Sequence, residues 1–267
     1  MMQIGKRGAA TTAISTASAD HVVVRGRDLA SDLMGSVSFT EFFFLLATGR
    51  APSAEQRFFI DLSLVAIAEH GLVPTVQAAR MTYAADTNAL QGAVAAGVLG
   101  CGTVILGTAD LCRKLLDEIL QRVDAGAPLE QACADVAREW RAAKKSIPGY
   151  GHPLHKPLDP RAERMMELAR QRGVAGRAVE CAGVLTRAIA AAWGKPLPMN
   201  VSMSIAATLH DLDVPASLIR GIPILARTAG LIAHLAEESE TPIGFTLAAE
   251  AEAAISYSGA GLEELKP

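Results

Sequence analysis

Ser146-Ile147-Pro148-Gly149-Tyr150-Gly151-His152-Pro153-Leu154-His155-Lys156-Pro157-Leu158-Asp159-Pro160-Arg161 is the stretch from which the rest of the chain can be read. Each proline fixes φ and each glycine admits conformations closed to other residues, so the first part is a stiff, irregular loop. Asp159 is a good helix N-cap and Pro160 suits the first helical position, so a helix starts sharply there. Met165, Met166 and Leu168 lie along it, and Arg172-Gly173 supplies a basic last turn and a glycine stop. The loop thus carries an imidazole, His152. Arg161 sits in the first turn of the helix, where backbone N–H groups can also face an anion. Together these groups suit a carboxylate or carbonyl substrate. The plainer reading, a helix–helix connection whose histidine satisfies a neighbour, stays open on the residues alone.

Outward from this stretch the chain reads as a succession of helices. Upstream, Arg122-Val123-Asp124-Ala125-Gly126-Ala127-Pro128 is a break, and Pro128 opens a helix that contains Trp140 and runs to Lys144-Lys145. Downstream, a helix over 176–193 stops at Gly194-Lys195-Pro196, and Met199-Asn200-Val201 leads into another over 202–209. Pro215-Ala216 begins the last major helical region, broken at Pro223 and continuing through Arg227-Thr228-Ala229-Gly230 to His234. Toward the N-terminus, His21-Val22-Val23-Val24-Arg25-Gly26 is a short β-like run ending in a turn. Ser38-Phe39-Thr40-Glu41 is a capping box, in which Ser38 and Glu41 satisfy each other's backbone donors. The helix it opens carries Phe42, Phe43, Phe44, Leu45 and Leu46, is apolar on nearly every side and is therefore buried. Gly49 ends it. Further helices are expected over 53–69, closed by His70-Gly71, and from Pro74 through Met81, with Asn88 capping a third. Gly92, Gly97, Gly100, Gly102 and Gly107 weaken helices unless they let two backbones approach closely.

Composition narrows the class. Of 267 residues, 50% are apolar and only 4% aromatic, with alanine and leucine abundant. Period-two β patterns are nearly absent, so the fold class is mainly α. A net charge of −3 gives no reason to expect a nucleic-acid partner. Cys101, Cys112, Cys133 and Cys181 show no CxxC spacing and lie in apolar helical stretches, which predicts buried, reduced thiols and a cytoplasmic setting. The N-terminus lacks the layout of a signal peptide, and apolar runs are expected to break before the ~18 residues of a membrane span. Positive mean hydropathy (+0.25) must then be buried in another way, such as a large subunit interface.

Pro148-Gly149-Tyr150-Gly151-His152, then Lys156, then Asp159-Pro160-Arg161 resembles the signature of the citrate synthase and citryl-CoA lyase superfamily. Val24-Arg25-Gly26 through Thr48-Gly49-Arg50-Ala51-Pro52 resembles it again, as does 226–234. The resemblance implies an all-helical homodimer. Its large dimerisation domain, 1–107 with 215–267, is shortened here, and a small CoA and substrate domain, 108–214, is inserted into it. It implies a reaction that makes or breaks the C–C bond between an acyl-CoA methyl and a keto-acid carbonyl. The substrates are then an acyl-CoA and a carboxylic acid, with no metal and no membrane or nucleic-acid partner. His152 matches the family histidine at the keto or hydroxyl oxygen, and His70 matches a second active-site histidine. Arg161 matches an arginine that grips a carboxylate, a task for which its planar fork suits it better than lysine. Lys144, Lys145 and Lys156 match CoA phosphate contacts. Backbone groups of Ile147, Pro148, Gly149, Tyr150 and Gly151 would meet the adenine and pantetheine.

Three departures qualify this. The segment matching the family's thioester-polarising histidine, Gly102-Thr103-Val104-Ile105-Leu106-Gly107, has no histidine. The Asn-Val-Asp that carries the general base reads Asn200-Val201-Ser202, leaving Ser202 among the substrate-binding residues. A late arginine before proline reads Thr241-Pro242. A neutral serine cannot abstract a weakly acidic α-proton unaided. The lyase branch also lacks the thioester histidine, so the resemblance points to a citryl-CoA lyase-like activity. The alternatives are a citrate synthase-type acyltransferase on a related substrate and a CoA-binding homologue with weak or lost catalysis. A third rival, a metal site from His152-x-x-His155 with Asp159, needs a helical spacing that Pro153 and Pro157 oppose.

Overall fold

Local signals place most of the helices in the computed structural model, which describes residues 10–103, 105–152 and 154–259. The chain forms two compact units, each built from two stretches: residues up to Ser63 with Asp110–Ile219, and Leu64–Ala109 with the residues from Arg220 onward.

The first unit opens with a small antiparallel sheet, β1 (Ser15–Ala17), β2 (Val22–Val24) and β3 (Arg27–Asp28), with Thr16 opposite Val23 and Val24 opposite Arg27. The β-like run at 21–26 is therefore the central strand. α1 (Phe39–Thr48) has the expected capping box, both Ser38 and Glu41 bonds present, and ends on Gly49 at φ 78°. Val24, Leu33 and Leu45 form a core between sheet and helix. α2 (Ala54–Ala68) begins in this unit and ends in the second. α3 (Pro74–Ala85) and α4 (Leu90–Leu99) belong to the second unit.

The first unit resumes within α5 (Thr108–Asp124), from Asp110, and continues with α6 (Leu129–Ala142), α7 (Pro160–Gln171), α8 (Arg177–Trp193), α9 (Val201–Asp211) and the short α10 (Ala216–Ile219). α8 packs on α6 and α9, and α7 packs on α9. No local side chain caps α8; instead Asp211, at the end of α9, accepts the N–H groups of Gly176, Ala178 and Val179 at 2.8, 2.8 and 2.9 Å. A carboxylate there satisfies three orphan donors and complements the helix dipole. All four cysteines are free and buried.

The second unit is completed by α11 (Gly221–Glu240) and α12 (Gly244–Ala254), around a core of Val76, Ala79, Ala93, Leu231 and Leu235. Arg80 and Glu238 form a buried pair at 2.5 Å, and Glu238 also accepts the N–H groups of Ile243 and Gly244, which fixes the start of α12. Gly97 is where backbones meet: a Cβ there would lie 2.6 Å from Leu231 Cδ1 and 2.9 Å from the Thr75 carbonyl. Helix propensity favours alanine over glycine by about 1 kcal/mol, whereas overpacking costs about 1–3 kcal/mol and a backbone carbonyl cannot step aside. Gly97→Ala should therefore lower the urea midpoint; a midpoint equal to or above wild type would refute the close approach.

Four expectations are corrected. α11 is not broken at Pro223: it starts at Gly221, so Pro223 lies in the first turn, where a missing N–H leaves no bond unmade. The N-cap of α4 is Ala89 rather than Asn88, whose N–H instead meets the Asp86 carboxylate. Gly92 and Gly102 have no close neighbour at the Cβ position, unlike Gly97. Last, Ala216–Glu240 is long and apolar enough by length and composition to cross a membrane, because Pro223 and Gly230 do not interrupt it. Within the second unit this run carries Glu238, paired with Arg80, and a buried Arg227.

Candidate active site

The loop between α6 and α7 is held as stiffly as its prolines and glycines predict, because it is stitched along 198–200. Gly151 N–H donates to the Pro198 carbonyl at 2.7 Å and Asn200 N–H to the Gly149 carbonyl at 2.9 Å, with Tyr150 bridged to Met199 between them. Asn200 Nδ2 adds a bond to the Gly151 carbonyl at 3.2 Å. Gly149 has φ 81°, and a Cβ on it would fall 2.7 Å from both Cys112 Sγ and Met203 Cβ, so glycine is required twice over. Tyr150 is buried, its hydroxyl donating to the Ala182 carbonyl at 2.8 Å. Burial pushes that phenol well above its usual range, so it anchors the loop as a neutral group. Ile147 is buried as well. The side chains of Ile147 and Tyr150 thus serve the fold, and the Gly149 carbonyl and Gly151 N–H are engaged by 198–200.

At the loop's end Asp159 caps α7 and does more. Its carboxylate is fully buried and accepts from Arg161 N–H at 3.0 Å, Arg161 Nε at 3.0 Å, Arg161 Nη2 at 2.9 Å and Val201 N–H at 3.1 Å. Burial pushes this carboxyl up, but the Arg161 guanidinium and the two N–H groups outweigh it and hold it below the usual carboxylate range. One N–H expected to face an anionic ligand, that of Arg161, is therefore taken by Asp159. The same contacts fix the guanidinium's orientation. They also occupy the donor that a metal reading would need from Asp159.

His152 Nδ1 accepts the N–H groups of Leu154 at 3.1 Å and His155 at 3.0 Å, which places the ring's own proton on Nε2. Nε2 lies 3.4 Å from Arg161 Nη2. The imidazole edge and the guanidinium edge therefore adjoin. The His155 ring lies beside His152, centroids 4.3 Å apart. Pro153 lies outside the described residues.

Ser202 is in the first turn of α9, its N–H donating to the Asn200 cap at 3.1 Å. Position 202 thus adjoins Val201, whose N–H reaches Asp159, so the loop, α7 and the start of α9 are one assembly. Lys144, Lys145 and Lys156 are exposed, the first two just beyond the end of α6. His70 belongs to the second unit, two residues past the end of α2. Its N–H and that of Gly71 donate to Glu69, which also meets His234 Nε2 at 2.8 Å. Burial raises the Glu69 carboxyl, but the Gly71 N–H and His234 more than offset it. In the segment matched to the thioester histidine, Val104 lies outside the described residues.

Two groups were missed on sequence. Asp159 reads as a cap and, in the metal rival, as a ligand, but not as Arg161's partner, although a carboxylate two residues before an arginine could have flagged the pair. Arg141 and Trp193 line a groove with Lys144 and Lys145, and no sequence signal links residues so far apart.

Comparison with known proteins places these features. The family description "Citrate synthase, C-terminal domain" matches residues 57–244. Citrate synthase from Acidithiobacillus ferridurans is 26% identical over 207 residues, covering 73% of this chain and 50% of that protein. Citrate synthase from Synechocystis is 27% identical over 227 residues, covering 83% and 54%. The chain thus spans about half the length of the curated relatives it matches. The solved citryl-CoA lyase from Hydrogenobacter thermophilus is 31% identical with a TM-score of 0.84, covering 97% of this chain and 98% of that one.

Proposed function

The chain belongs to the citrate synthase family, and from that premise we propose that it is a citryl-CoA lyase-like enzyme cleaving citryl-CoA to acetyl-CoA and oxaloacetate. The observation that carries the reading is the imidazole of His152 and the guanidinium of Arg161, with Nε2 and Nη2 3.4 Å apart where the locked loop meets α7. The near end-to-end likeness to a citryl-CoA lyase supports the direction.

In the cleavage step the substrate hydroxyl gives its proton to solvent water and the bond between the carbinol carbon and the thioester α-carbon breaks. The hydroxyl oxygen becomes the keto oxygen, and the electron pair passes to the α-carbon as the thioester enolate. A proton then adds to that carbon, so none is gained or lost overall. His152 and Arg161 hold the oxygen that becomes the keto group and its neighbouring carboxylate, where charge develops. His70 is a second catalytic histidine by the same family reading. Lys144, Lys145 and Lys156, with backbone groups of 147–151, hold CoA, so the acyl-CoA lies on 108–214. CoA is substrate, and no metal takes part.

Ser202 fits cleavage better than synthesis. Synthesis begins by pulling a weakly acidic proton from the acetyl-CoA methyl, which needs a well-placed base; cleavage needs only the more acidic hydroxyl proton removed, generates the enolate by bond scission, and water can protonate that enolate. Ser202→Asp should therefore raise the exchange of acetyl-CoA methyl protons for solvent deuterium, about tenfold, a fraction of what a well-placed base contributes. Exchange no faster than in wild type would remove position 202 from the site. The direct test supplies citryl-CoA and follows acetyl-CoA and oxaloacetate, beside calorimetry with CoA. Binding without turnover would instead favour a CoA-binding homologue, the reading that the absent carboxylate at 202 supports. A citrate synthase-type acyltransferase would reveal itself by condensing acetyl-CoA with a 2-oxo acid.

A homodimer is part of the proposal. The second unit exposes Leu90, Leu99, Ile232 and Phe245, apolar area of the kind a second copy would cover. The buried thiols suit a cytoplasmic setting.

A further inference from the structure

Beyond the loop, the end of α6 and the end of α8 enclose a groove of about 690 Å³ lined by Arg141, Ala142, Lys144, Lys145, Ser146 and Trp193. That size lies within the range of small-molecule sites. Its charge is one-sided. Arg80, Lys114, Arg122, Arg161 and Arg172 each pair with a carboxylate, but Arg141, Lys144 and Lys145 make no ion pair among the described residues. Lys144 also has φ 54°, a left-handed conformation that a helix end usually gives to glycine. Three cations would complement the helix dipole of α6, yet that role needs neither the concavity nor an aromatic wall. Here the Arg141 guanidinium lies over the Trp193 ring, 5.7 Å from its centroid, so cation and indole form a single surface.

We infer that Arg141 and Trp193 form the nucleotide-reading wall of the acyl-CoA site: the guanidinium and neighbouring lysines take the phosphates, and the indole packs against the adenine. This rests on the CoA reading above and deepens it. Ser146 lines the groove and His152 lies six residues on, at most about 20 Å of chain, a reach of the same order as an extended pantetheine arm. A base with three or more phosphate charges fits a wall of cations and a π-face, and such stacking is worth about a tenfold change or more on truncation.

The test measures dissociation constants for CoA, 3′-dephospho-CoA and pantetheine by calorimetry on the full chain, for wild type, Arg141→Ala and Trp193→Ala. Arg141 is exposed, so its truncation reports on binding even where loss of the indole disturbs the end of α8. Each variant should reduce the preference for CoA over pantetheine about tenfold, and CoA binding to wild type should weaken as salt is raised. Wild type binding CoA while both variants keep its full preference would overturn the inference and leave the CoA reading standing. Wild type binding no CoA would overturn both.

Discussion

His152→Ala should lower cleavage of citryl-CoA by about 10²–10⁴-fold, the usual contribution of a positioned acid–base group, and leave stability within about 0.5 kcal/mol of wild type. The two parts have separate physical causes. The loop is held by the bonds along 198–200, by Tyr150 on Ala182 and by Asp159 on Val201, none of which uses the His152 ring. At Nδ1 the ring accepts two local N–H groups, which water can replace at a half-exposed site. What is lost is Nε2, the donor beside Arg161. His152→Asn refines the result, since an amide can donate to the oxygen but cannot exchange a proton with it. Partial recovery in the asparagine variant would mark His152 chiefly as an oxygen-holding donor, and none would mark proton transfer as its main role. Turnover by His152→Ala equal to wild type, with circular dichroism and denaturation unchanged, would exclude His152 from the chemistry.

What the chain reveals before folding follows the range of the interaction. Ser38 and Glu41 form their capping box within a few residues, Asp159 caps α7 just ahead of Pro160 by an equally local bond, and both helix starts are legible. Gly49 and Gly194 end helices in left-handed conformations for the same local reason. Pro223 misleads because a proline breaks a helix only when it falls inside one, and here the helix begins at Gly221. α12 escapes notice because its first turn is fixed by Glu238 from the preceding helix. At the site, the loop could be read and its lock could not. The bond from Val201 to Asp159 joins residues 42 apart, and nothing local announces it. The tautomer of His152 is equally hidden, since it depends on how the chain turns after the ring. The serine at 202 was visible at once, but its meaning depends on which direction of the reaction needs a base.

Asp159→Ala should destabilise the protein by about 3 kcal/mol and reduce turnover with it. The buried carboxylate accepts four hydrogen bonds, two from the Arg161 guanidinium, one from the first turn of α7 and one from the first turn of α9. Removing one partner of a buried pair leaves the other charge uncompensated, at about 3–5 kcal/mol. The lower figure applies because Arg161 is 22% exposed and water can reach it. Asp159→Asn keeps a cap acceptor and the shape but not the charge, so it should fall between wild type and alanine. The pH dependence gives an independent check. The Asp159 pKa is depressed in the folded state, so the unfolded chain binds the proton first as pH falls. Its stabilisation is then complete at neutral pH, begins to fade near the ordinary aspartate value of about 4, and is gone once the pH passes below the folded value. The gap in denaturation free energy between wild type and Asp159→Asn should therefore be wide at pH 7 and narrow steadily below about pH 4. A gap that stays constant across that range would mean the carboxylate is not ionised in the fold. The lock on Arg161, and with it the orientation given to the carboxylate-binding fork, would then need another source.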